Sequence, residues 1–167
     1  MNKVTIQLLK DFEVECLKNL AETIWPSTYQ NIISQEQMLY MIDRAYNPNA
    51  LRNQIAQGGK IWVAKCNELP IGYTHIQPES PNKLKLDKLY VLSEFQNQGV
   101  GKLLMDTIDL YAASNSHQRI VLRVNKLNSK AIKAYLKYGY QITSSIIQDI
   151  GNGFAMDDYI MEKFISH

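Results

Sequence analysis

Apolar and polar positions follow two rhythms along this chain, and the switches between them mark out its elements. Residues 4–9 form a short β-rich run that predicts a first strand. From about Asp11 the period lengthens: Leu17, Leu20, Ala21 and Ile24 share one face at three- and four-residue spacing. That spacing predicts a helix, and Trp25-Pro26 is expected to end it. Ser34-Gln35-Glu36-Gln37 has the form of a capping box opening a second helix through Met41. Asn47-Pro48 pairs an N-cap with proline at the first helical position, so a short third helix should run to Gly58-Gly59.

The rhythm then shortens. Residues 61–66 and 71–76 read as strands joined by the turn Asn67-Glu68-Leu69-Pro70, and residues 84–91 make another after a loop at residues 78–82. A glycine-containing loop leads into a helix with Val100, Leu104, Ile108 and Tyr111 on one face. Residues 120–124 follow as a strand and 128–138 as a helix, which Gly139 stops. A hairpin of residues 140–150 and 154–164 around Gly151-Asn152-Gly153 closes the chain. An antiparallel front half joined to β-α-β-α units predicts one mixed sheet with helices on both faces.

The 167 residues suit one ordinary domain, and 46% hydrophobic with 20% charged residues is a globular composition. A net charge of +2, with Lys and Arg scattered, gives no basic stripe for a phosphate backbone, so nucleic acid is not expected as a partner. Cys16 and Cys66 stand at no metal-ligand spacing, and His75, His117 and His167 do not cluster with them, so no metal is expected. No apolar run approaches the roughly 20 residues that span a bilayer. These features predict a cytoplasmic protein with no membrane partner.

The most informative stretch is Leu89-Tyr90-Val91, four residues, then Gln96-Asn97-Gln98-Gly99-Val100-Gly101-Lys102. Gly99 and Gly101 let a ligand approach the backbone, and the next helix offers unpaired N–H groups and the positive end of its dipole. That is an anion site suited to a pyrophosphate. A Walker loop would need glycine at 96 and a hydroxyl after the lysine, where Gln96 and Leu103 stand. A dinucleotide fingerprint needs three glycines near the first strand, and this loop has two, late in the chain.

Residues 96–101 fit Q-x-x-G-x-G, the pyrophosphate loop of the GCN5-related N-acetyltransferases (GNAT family). Asn128, Ala131, Tyr135, Lys137, Gly139 and Tyr140 fit that family's second signature, N-x-x-A-x-x-x-Y-x-K-x-G-F/Y, one helix and one strand downstream. The chain thus resembles a GNAT protein over roughly residues 61–164. The segments Trp25-Pro26-Ser27-Thr28-Tyr29, Tyr40-Met41-Ile42-Asp43 and Asp157-Asp158-Tyr159-Ile160-Met161 are similar to bacterial acetyltransferases acting on spermidine and spermine.

The resemblance implies a single α/β N-acetyltransferase domain over 1–167, with a mostly antiparallel sheet that splays after the fourth strand. It implies acetyl-CoA as co-substrate and a small amine as partner, spermidine or spermine among them, with a homodimer as a candidate assembly. Leu89, Tyr90 and Val91 would present backbone amides to the pantetheine arm and the thioester oxygen. Gln96, Asn97, Gln98, Gly99, Val100, Gly101 and Lys102 would hold the pyrophosphate, with Asn128, Tyr135 and Lys137 completing the cofactor contacts.

Tyr135 is the expected general acid, because a phenol of pKa about 10 gives a proton readily to a thiolate of pKa near 8.5. An alkyl ammonium is neutral in only roughly a few parts in ten thousand at pH 7, so a base is also required. Asp87, expected on the same strand face as Leu89, is the first candidate, with His75 and Glu94 behind it. Asp43, Asp149, Asp157 and Asp158 are candidates to meet a polycation, although neighbours on a strand point apart and only one of the last two should face a cleft. Trp25, Tyr29, Tyr40 and Tyr46 are candidate channel aromatics. Protein or peptide N-acetylation, or non-catalytic acyl-CoA sensing, are the alternatives on the same fold.

Overall fold

The structure, a computed structural model, describes residues 3–166. Seven strands form one sheet: β1 (Val4–Leu8), β2 (Lys60–Cys66), β3 (Leu69–Ser80), β4 (Lys83–Val91), β5 (Arg119–Asn125), β6 (Gln141–Gly151) and β7 (Phe154–Phe164). Their spatial order is β1-β2-β3-β4-β5-β7-β6, with every neighbouring pair antiparallel except β4–β5. Five helices flank the sheet: α1 (Val14–Tyr29), α2 (Gln35–Ala45), α3 (Pro48–Ala56), α4 (Val100–Ser114) and α5 (Ser129–Lys137). This is the expected α/β class. None of the described helices is long and apolar enough to cross a membrane.

Two hydrophobic clusters hold the layers together. One gathers Leu17, Ile24 and Trp25 of α1, Ile42 of α2 and Leu51 of α3 over Ile61, Val63 and Tyr73 of the sheet. The other packs Ile108 and Ala112 of α4 with Leu84, Leu86, Ile120 and Leu122. α4 serves both, since Val100 and Leu104 belong to the first cluster.

Two local expectations need correction. Pro26 does not end α1, which continues to Tyr29. Pro26 is exposed, so the carbonyl it leaves unpaired faces water, and Ser27 and Thr28 hydroxyls donate to Ile24 C=O at 3.0 and 3.3 Å. β3 also runs on through Pro78, Glu79 and Ser80, which shortens the predicted loop. The capping box of α2 forms by half: Ser34 accepts from Gln37 N–H at 3.1 Å, but the Gln37 amide donates instead to Ala155 C=O at 3.1 Å. α2 is thereby tied to the closing hairpin.

The decisive feature lies in β4. His75 pairs with Lys88 and Ile76 with Leu86, so Asp87 has no opposite residue and forms a β-bulge. Even-numbered side chains therefore change sides across it. Leu84 and Leu86 pack with α4, whereas Tyr90 meets Trp25 of α1 at 5.4 Å between ring centroids. Pairing of β4 with β5 ends at Leu86 and Leu122, and beyond that point the two strands part.

Candidate active site

The loop after β4 supplies an exposed set of amide donors. Asn97 and Gly99 adopt left-handed backbone, with φ of 59° and 85°, which turns the chain into α4. The first intrahelical bond runs from Leu103 N–H to Gly99 C=O at 3.0 Å, leaving the N–H groups of Val100, Gly101 and Lys102 ahead of it. A Cβ built at Gly101 meets nothing within 4 Å, so no protein packing requires glycine there. That open space lets a ligand approach the backbone at the helix N-terminus. Gln96 anchors the loop: its amide donates to Val91 C=O at 2.9 Å, and its carbonyl accepts from Lys130 of α5.

A continuous cleft runs from this loop through the gap between β4 and β5. Its first section is lined by Leu89, Tyr90, Val91, Gln96, Gly101 and Lys130. The second, of about 290 Å³, shares Leu89, Tyr90 and Asn128 with the first and adds Tyr135, Asp87 and Asp158. The third shares Asp87, Lys88 and Ile150 and opens past Tyr40, Arg44 and Asp149. Asn128 caps α5 by accepting from Ala131 N–H at 3.2 Å, and this fixes the helix that carries Tyr135. The Tyr135 ring packs edge-on against Tyr140 at 5.5 Å, and burial pushes its phenol well above the usual value.

Charge in the middle of the cleft is divided unequally. The bulge brings Asp87 against Lys88 at 2.5 Å, Lys85 at 2.8 Å and His75 at 3.6 Å. Burial pushes the Asp87 carboxyl up, but the nearby His75 ring and the two ammonium groups outweigh it and hold the carboxyl well below the usual range. The expectation that Asp87 shares a face with Leu89 is thus corrected, because the bulge turns its side chain to the Lys88 side. His75 is fully buried, and burial lowers its pKa, so its ring is neutral at pH 7. Asp158 on β7 is different: it is 6% exposed, and its buried Oδ1 has no hydrogen-bond partner among the described residues. Its neighbour Asp157 faces outward and pairs with Lys126 at 2.7 Å.

Residues 57–142 match the family described as the acetyltransferase (GNAT) domain, a span of half the chain. The chain belongs to the GNAT family of N-acetyltransferases. Over 165 residues it is 25% identical to a spermidine N(1)-acetyltransferase of Thermoplasma acidophilum, covering 96% of each chain. A solved PaiA N-acetyltransferase of Thermoplasma acidophilum in complex with coenzyme A has the same fold, with TM-score 0.84 and 24% identity over 97% of this chain and 99% of that one. The ribosomal-protein-S18-alanine N-acetyltransferase of Escherichia coli shares the fold too, with TM-score 0.75 and 14% identity over 99% of this chain and 96% of that one.

A GNAT protein uses acetyl-CoA as its acyl donor, and the cleft fits it: donors at the α4 N-terminus meet open space above Gly101, and the gap between β4 and β5 continues inward. Among the residues named from sequence, Leu89, Tyr90, Val91, Gln96, Asn97, Gly101 and Asn128 line that first section. Val100 packs in the core, which leaves only its backbone N–H facing the loop. Gln98 donates to Glu94 C=O at 2.7 Å, and Lys102 pairs with Asp106 at 2.7 Å, both on the surface. Lys137 is exposed in the last turn of α5, away from the cleft.

Of the four acidic candidates, Asp149 and Asp158 reach the cleft, while Asp43 pairs outside it with Lys18 at 3.1 Å. Trp25, Tyr29 and Tyr40 line it, and Tyr46 is core, bonded to Tyr73. Glu94 is exposed beside the loop. Lys130 and the cations Lys85, Lys88 and Arg123 carried no sequence signal, because only the folded chain brings them to the cleft. Among the described residues, no group of three or more His, Cys, Asp or Glu side chains could hold a metal ion.

Proposed function

We propose that this acetyltransferase moves the acetyl group of acetyl-CoA directly to a small primary amine. The observation that carries the reading is the continuous cleft, in which a donor section and an acceptor section meet at Leu89, Tyr90, Asn128 and Ala131, with Tyr135 just beyond on the acceptor side. The acetyl thioester supplies an electrophilic carbon. The free edge of β4 directs the backbone N–H groups of Leu89 and Val91 at the acetyl oxygen, where negative charge develops, while that of Tyr90 turns to β3; one such donor is worth roughly 3 kcal/mol. The loop amides at Val100 and Gly101 bind the pyrophosphate, and Lys130 adds a cation beside it. Tyr135 gives its proton to the departing sulfur. Burial raises its pKa, so the phenol stays protonated and yields its proton only to the full charge that develops on sulfur.

Spermidine-type polyamines are the first acceptors to test. That choice rests on the spermidine N(1)-acetyltransferase relative, which spans nearly the whole chain, and on Asp158 and Asp149 in the cleft. Arg44 and Lys88 alternate with Asp149 and Asp87 in the outer section, so its charge favours an amine of low total charge as much as a long polycation. Incubation with acetyl-CoA and a panel of spermidine, spermine, short monoamines and a lysine peptide, followed by free thiol release, tests the reading. Turnover confined to the peptide would point to protein N-acetylation instead. Tight acetyl-CoA binding without thiol release for any amine would point to a sensor.

A further inference from the structure

We infer that Asp158, not Asp87, is the carboxylate that receives the acceptor's ammonium group and removes its proton. The inference deepens the primary-amine reading and rests on it. Both carboxylates line the same section of the cleft, and they differ in what already surrounds them. Asp87 is saturated by Lys85, Lys88 and His75, and a carboxylate so stabilised is a poor proton acceptor. Asp158 has no ion pair among the described residues, is more than nine-tenths buried, and leaves Oδ1 without a partner. An unpaired buried carboxylate costs stability, and an ammonium arriving from the cleft would supply the missing partner.

Placement supports the same role. Asp158 stands opposite Asn125 on β5, beyond Leu122, where that strand leaves β4. The gap that admits the acetyl group therefore opens in front of it. The ionisable groups around it are Tyr29 of α1, Arg123 of β5, Lys126 after β5, Asp157 beside it, and Tyr135 with the Asp87 cluster across the cavity. Burial and Asp157 push the carboxyl up while Arg123 and Lys126 pull it down, and burial dominates. A carboxyl raised in this way accepts a proton more readily than one in water.

The step balances as follows. Asp158 takes one proton from the ammonium, and the freed nitrogen lone pair forms the N–C bond to the acetyl carbon. The C–S bond breaks, its electron pair stays on sulfur, and Tyr135 protonates that sulfur. The second amine proton passes to solvent, Tyr135 regains a proton from solvent, and Asp158 releases its own before the next turnover. The net products are the amide, the free thiol and one proton.

The test uses the full chain carrying Asp158→Asn or Asp158→Ala, with the best amine of the panel. Asp158→Asn should lower kcat/KM for the amine about a hundredfold, remove the acidic limb of its pH profile, and leave acetyl-CoA affinity unchanged. It should also raise the thermal midpoint at neutral pH, because a group with a raised folded pKa costs stability as pH climbs above its unfolded value. That gain should vanish at low pH. Asp158→Ala should regain part of its rate with added formate. Wild-type rate and pH profile in both variants overturn the assignment, as does a rate loss that follows a loss of thermal stability without formate rescue. Wild-type protein that releases no thiol above background with any amine of the panel overturns the primary-amine reading and this assignment with it, whereas wild-type turnover retained in both variants overturns this assignment alone.

Discussion

The hydroxyls of Tyr29 on α1 and Tyr90 on β4 lie 2.8 Å apart, joining a helix end to the strand whose other edge is free. Burial pushes both phenols up, so each remains a neutral hydroxyl able to donate or accept. Tyr90→Phe leaves the Tyr29 hydroxyl without its partner and should cost about 1–2 kcal/mol in urea unfolding. Adding Tyr29→Phe should restore most of that loss, since no orphaned hydroxyl remains. Strictly additive losses in the double variant would show that the bond contributes nothing.

Tyr135→Phe should lower kcat roughly a hundredfold while acetyl-CoA affinity stays close to wild type. The ring still packs on Tyr140, so thermal stability should hardly change. Stopped-flow thiol release and equilibrium binding separate these effects. An unchanged kcat would remove Tyr135 from the proton transfer.

Gly101→Ala sets stability against binding. Position 101 lies in the first turn of α4 with open space around it, so alanine should stabilise the helix by about 0.5–1 kcal/mol. The added methyl stands where a pyrophosphate would approach, so KM for acetyl-CoA should rise at least about tenfold, on the order of 1.4 kcal/mol of lost binding. A higher melting temperature with weaker donor binding is the expected pair of results.

Asp87→Asn leaves Lys85 and Lys88 without their shared anion and should cost on the order of 3 kcal/mol at pH 7. The folded pKa of Asp87 lies below its unfolded value near 3.8, so its contribution is fully present above that value and is lost as pH falls through the folded pKa. His75 is also depressed from 6.5, so its own contribution begins to fade as pH drops below that value. Denaturant titrations of wild type should weaken in two stages on acidification, and the variant should lack the lower one.

The elements and the phosphate loop were legible because their signals are local. Hydrophobic period, N-cap residues and the spacing of Gly99 and Gly101 act within a few residues. Pro26 was misleading for a physical reason: proline breaks a helix when the lost bond is buried, and here it faces water. The acceptor end was hidden because it depends on pairing. Nothing in Lys85-Leu86-Asp87-Lys88 announces an extra residue; only the register against His75 and Ile76 reveals it. Likewise Asp157 and Asp158 read as equivalent until β5 and Lys126 give them opposite environments.

That extra residue has a wider consequence. Asp87 occupies no rung of the ladder, and β4 leaves β5 immediately beside it, after Leu86. Without Asp87, Leu86 and Lys88 would be adjacent rungs against β3 and the alternation of side chains would run unbroken past the point where β5 leaves. What lines the gap between β4 and β5 thus depends on chain length as much as on chemistry: one surplus peptide unit decides which side chains of β4 face each way beside it.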